Sequence, residues 1–157
     1  MSRKGKFRYP LAPVLLKRQW DLDALLLELG EVNSHLLTLG AELEAIDNDV
    51  RKASEHWKRQ ASQGVLDISR FCLATQYVQD LATRQAACEN AMAEKERQQL
   101  ALIERIAIAK RATEAVAMHR DEMKAEFIKM RLREDFRAAD DQWSALQARR
   151  GNHDSGT

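Results

Sequence analysis

Four histidines (His35, His56, His119, His153) and two cysteines (Cys72, Cys88) are the side chains of this 157-residue chain best suited to ligate a metal, carry a proton or attack a carbonyl. They are scattered along it. Paired ligating cysteines, a Gly-rich phosphate loop with its Lys and Ser/Thr, and a nucleophile elbow are all missing from the sequence. The residue types therefore point away from catalysis, and neither an enzyme nor a cofactor or metal is expected. Cys72 and Cys88 are sixteen residues apart on what reads as one helix. At 1.5 Å per residue that is roughly 24 Å, too far for a disulfide. Free thiols in a reducing compartment are expected.

The chemistry that remains is recognition. Residues 1–20 carry Arg3, Lys4, Lys6, Arg8, Lys17 and Arg18 and no acid, whereas residues 21–50 carry eight acids and no Lys or Arg, so a net charge of +1 hides a polarised molecule. Such a basic stretch is read either as a solvated face or as a surface for an acidic partner or nucleic acid. Few aromatics interleave with these cations, which counts against stacking on single-stranded nucleic acid. A second candidate is the line Tyr77, Leu81, Arg84, Cys88, at helical spacing along one edge of a helix. It reads equally well as seam margin or as a half-exposed aromatic stripe.

The elements that position these residues are legible from periodicity. Leu22, Leu25, Leu29, Val32, Leu36, Leu39, Leu43, Ile46, Val50, Ala53 and Trp57 follow one another at alternating steps of three and four, the seam of a coiled coil. The intervening residues are mostly polar, so no second apolar face is expected. From Ile68 the pattern resumes through Phe71, Ala74, Val78, Leu81, Cys88, Met92, Leu102, Ile106, Ala109, Val116, Met123, Phe127 and Met130, interrupted by Gln85, Lys95, Gln99, Thr113 and Arg120. Both prolines (Pro10, Pro13) lie at the start, and charged residues make up 31% against 6% aromatics, which favours long helices over a globular core.

The fold expected is all-α, an antiparallel two-helix coiled-coil hairpin with a longer second helix. Residues 1–10 form a basic arm, which Phe7 and Tyr9 could pin down. Residues 11–150 form the coiled coil, with helix 1 over about 11–62, a turn at 63–66 and helix 2 over about 67–150; residues 151–157 are a disordered tail. Pro13 suits a first helical turn, Gly64 a left-handed C-terminal position, and Asp67 or Ser69 an N-cap. If the turn is symmetric, residue i of helix 1 lies near residue about 129 − i, which sets Leu22 by Ala107 and puts Lys95 and Gln99 opposite Ser34 and Gly30. The helices would measure about 75 and 125 Å. In the overhang, Ile128, Leu132, Phe136, Ala139, Trp143 and Leu146 continue the apolar stripe with a 4-4 stutter and no partner, which suggests a docking surface. Both termini meet at one end, bringing Lys124, Lys129, Arg131, Arg133 and Arg137 to the basic arm, partly balanced by Glu126, Glu134 and Asp135. With no apolar h-region and no spanning run, a cytoplasmic protein without membrane insertion is expected, monomeric in isolation.

The start Phe7-Arg8-Tyr9-Pro10-Leu11-Ala12-Pro13-Val14-Leu15, then Leu29-Gly30-Glu31, the Gly64 turn and Gln76-Tyr77-Val78-Gln79-Asp80-Leu81 resemble the FliJ and YscO stalk proteins of bacterial flagellar and type III secretion export machines. The resemblance implies a central stalk whose two-terminus end sits in a hexameric export ATPase and whose hairpin end contacts the membrane export-gate protein, at the inner face of the inner membrane. It implies gate contact at Tyr77 and Leu81, with Arg84 and Cys88 on the same face, and ring contact at the two-terminus end, where the charge pattern offers Arg3, Lys4, Lys6, Arg8, Lys17, Arg18, Lys129, Arg131 and Arg133. Arg84 and Cys88 depart from the small residue and the His of that pattern, and Asp49 and Ala53 replace its aromatics. A coiled-coil export chaperone or adaptor, binding substrates or chaperones through the overhang, is the competing expectation. Neither reading calls for nucleic acid.

Overall fold

Two α-helices account for nearly all of the chain, α1 over Ala12–Ser62 and α2 over Ile68–Gly151, packed on each other as a coiled-coil-like hairpin with the longer helix second. The computed structural model describes residues 5–64 and 67–151. Arg3 and Lys4, the second half of the 63–66 turn and residues 152–157 of the tail lie outside the described residues.

Helix ends fall where the local chemistry puts them. At the start of α1, Ala12 N–H donates to the Tyr9 carbonyl at 3.2 Å and Leu15 N–H to the Leu11 carbonyl at 3.0 Å, so Pro13, which has no N–H to give, costs the helix nothing. The helix stops as Gly64 turns to φ +75°, the left-handed region a side chain resists. Asp67 opens α2, its Oδ1 accepting from Ser69 N–H at 3.0 Å and its carbonyl from Phe71 N–H at 3.0 Å.

By internal packing the chain divides into two units. One is Asp21–Ala109, which contains the turn; in the other, the residues up to Trp20 pack with those from Lys110 onward. The turn-bearing unit has its core at Ile46, Leu81 and Cys88, flanked by Leu39, Leu43 and Val50, with Ile46 and Leu81 only 2% and 1% exposed. All eleven seam positions expected on α1 point inward or are half-covered. On α2 the inward line from Ala74 to Phe127 includes the five polar residues that interrupt the apolar pattern. Two of them meet polar partners across the seam. Gln85 Nε2 donates to Asp47 at 3.2 Å and Gln99 Nε2 to Asn33 at 2.7 Å. Gln99 thus meets Asn33 rather than Gly30, three positions along from the symmetric register. Phe71, Val78 and Met130, expected in the seam, are largely exposed.

The expectation of a single apolar face on α1 does not hold. In the turn-bearing unit Leu26, Leu27 and Leu37 are open to solvent, as are Leu16 and Trp20 in the other. The heptad identifies the side facing the partner helix and says nothing about apolar residues left outside it.

Candidate functional site

Near the turn, the side chains of both helices leave a groove of about 860 Å³ between them. Its floor is built by Val50, Ala53 and Trp57 of α1 with Phe71, Tyr77 and Val78 of α2. The Trp57 and Phe71 rings sit 5.3 Å apart between centroids, tilted at 48°. Asp49 and Ala53 both line it. Its volume is that of a ligand pocket, but it is an open trough of mainly apolar surface edged by polar residues such as Asp49, Lys52 and His56, suited to bulky side chains of another protein.

The expected stripe along α2 is split by the packing. Tyr77 is 50% exposed and Arg84 is exposed, so both can meet a partner. Leu81 and Cys88 cannot, because they are core residues: Leu81 packs with Ile46, and the Cys88 thiol donates to the Leu39 carbonyl at 3.4 Å. As surface contacts these two are corrected to seam residues. The spacing 77, 81, 84, 88 belongs to two lines that cross, since Leu81 and Cys88 also fall on the 3.5-residue seam. Burial pushes the Cys88 thiol above its ordinary pKa, with Glu42 and then Glu89 adding to the shift.

The other unit holds the basic residues. Here the chain from Gly5 to Tyr9 lies extended along α2. The Tyr9 hydroxyl donates to the Val116 carbonyl at 3.2 Å and sits 3.0 Å from His119 Nδ1; the Phe7 and Phe127 rings are 5.6 Å apart; and the Arg131 guanidinium donates to the Gly5 carbonyl at 2.7 Å while lying 5.4 Å from the Phe127 ring. Phe7 and Tyr9 do pin the arm. Arg131 is thereby a clamp for it, while Lys6, Arg8, Lys17, Arg18, Lys129 and Arg133 present exposed side chains. Sequence reasoning missed Val116, His119 and Phe127 as the arm's seat. The signal was the Phe7-x-Tyr9 alternation, which puts both rings on one side of an extended chain.

Beyond Arg131 every described side chain of α2 is exposed, Leu132, Phe136, Trp143 and Leu146 included. Among the described residues no three His, Cys, Asp or Glu side chains gather as a metal site, and no helix is long and apolar enough to cross a membrane. Comparison with protein-family models, with characterised proteins and with solved structures finds no match to this chain.

Proposed function

We propose that this chain is a non-catalytic central stalk of a type III secretion export ATPase complex, docking its basic unit in the ATPase hexamer and its turn-bearing unit on the export-gate protein in the membrane. The observation that carries this reading is the closed foot. Three separate contacts fix the arm on α2, so Lys6 and Arg8 of the arm and Lys129 and Arg133 of the helix are held on one scaffold. An acid-lined ring would attract such a foot, and the stalk would bias assembly and asymmetric ATP turnover without chemistry of its own. Gate contact falls to Tyr77 and Arg84, beside the groove.

Mixing the chain with its cognate export ATPase tests this. Hexamer formation and hydrolysis should rise, and the rise should weaken as salt screens the contact. No effect on either across a range of salt overturns the reading.

The adaptor reading is favoured by one observation, the uncovered stripe from Leu132 to Leu146. Pull-down with Phe136→Ser and Trp143→Ser separates the two: loss of ATPase binding fits the stalk, and loss of export substrates or chaperones fits the adaptor.

A further inference from the structure

The uncovered end of α2 has a pattern of its own. Ile128, Leu132, Phe136, Ala139, Trp143 and Leu146 form one stripe along the helix, each exposed. Phe136 is 70% and Trp143 61% exposed, the largest apolar groups on it.

Laid against itself in the opposite direction, this stripe closes. Leu132 falls opposite Trp143 of a second copy and Phe136 opposite its Ala139, while Ile128 and Leu146, across the 4-4 stutter, sit one residue out of that register; the twofold repeats each layer in reverse. Each bulky aromatic then meets a smaller side chain, which is how facing layers fill space without overpacking. Parallel pairing would instead set Phe136 on Phe136 and Ala139 on Ala139, one layer too full and the next too thin. Charge gives the same answer. Arg133 and Asp140, both exposed, flank the stripe on one edge. Antiparallel pairing brings Arg133 of each copy to Asp140 of the other, whereas parallel pairing brings Asp135 to Asp140.

We propose that residues 128–146 are a self-docking surface, on which a second copy of this chain pairs antiparallel in that register. The contact is isologous, so the dimer closes and does not grow into fibres. It spans about 28 Å of helix, well below a standard interface, so dilute chain stays monomeric and the dimer gathers only as concentration rises. Arg133 serves both this contact and the proposed ring, so self-pairing and ring docking exclude each other. The proposal stands on the stripe itself and does not rest on the stalk reading.

Sedimentation equilibrium of the full chain, over roughly 5 to 500 µM, tests it. The wild type should pass from monomer to dimer. Arg133→Glu and Asp140→Arg should each weaken the dimer roughly tenfold, because two pairs turn from attraction to repulsion. The double variant should restore it. Circular dichroism checks that helicity is kept, as expected for exposed positions. A monomer at every concentration overturns the proposal, and so does a dimer that ignores both charge reversals or is not rescued by the double one.

Discussion

At the scale of the residue, burial decides which side chains carry stability and which are available to a partner. Leu81→Ala or Ile46→Ala removes a side chain from the tightest packing in the chain and should cost about 2–5 kcal/mol in denaturant unfolding. Tyr77→Ala, four residues from Leu81 but outside the seam, should change stability by about 0.5 kcal/mol or less, because half of its surface already faces water. The cysteines divide in the same way. Cys72 is exposed and Cys88 is buried with its thiol held protonated. A thiol reagent at neutral pH should label Cys72 quickly and Cys88 only as the hairpin opens, which mass spectrometry of digested protein reads directly. The sign of the linkage follows. The folded state holds the Cys88 proton to higher pH than the unfolded chain does, so this contribution is intact below the ordinary thiol pKa and is lost as pH rises through the window above it.

At the scale of the element, α1 was legible almost residue by residue, and α2 only in part. The strict three-four spacing from Leu22 to Trp57 identifies one face, and a face is what a partner helix selects. The stop at Gly64 and the cap at Asp67 were legible for a different reason, since each is forced by local backbone chemistry. Gly64→Ala should cost about 1 kcal/mol through its positive φ, and Asp67→Ala about 0.5–2 kcal/mol through the lost N-cap, both read by thermal unfolding. What the spacing does not encode is the identity of the facing atoms. Gln85 and Gln99 look like faults in α2 until Asp47 and Asn33 are set opposite them. The seat of the arm is likewise a contact across more than a hundred residues of chain, Tyr9 to Val116 and His119, for which no local pattern exists. Tyr9→Phe removes both hydroxyl contacts and should loosen the arm by about 1 kcal/mol, seen as faster amide exchange over residues 6–9.

For the whole molecule, the proposed coupling needs only that one chain carry two recognition surfaces of different chemistry, one charged and one apolar. That difference makes the two separable by substitution. Binding of the basic unit is electrostatic and long-ranged, so it should respond to charge reversal and to salt. The trough lined by Tyr77 works mainly by desolvation, so it should respond to the loss of an aromatic ring and less to salt than the basic unit does, Arg84 being its charged contact. Tyr77→Asp with Arg84→Glu should therefore leave ATPase stimulation within about twofold of wild type while lowering export by roughly tenfold or more, since one desolvated anchor is worth about 2 kcal/mol. Lys6→Glu with Arg18→Glu and Lys129→Glu should do the reverse, abolishing stimulation of hydrolysis, with the deficit largest at low ionic strength where the wild-type contact is strongest. Because the coupling free energy is shared by both ends, a chain that cannot engage the ring gains nothing from an intact trough, and export should fall in this variant too. The asymmetry is the diagnostic outcome: damage to the apolar surface uncouples, and damage to the basic surface disables. If the Tyr77 and Arg84 substitutions lowered stimulation of hydrolysis by the purified ATPase as much as they lowered export, the two surfaces would be acting on one partner, and the stalk mechanism would be replaced by a single binding event.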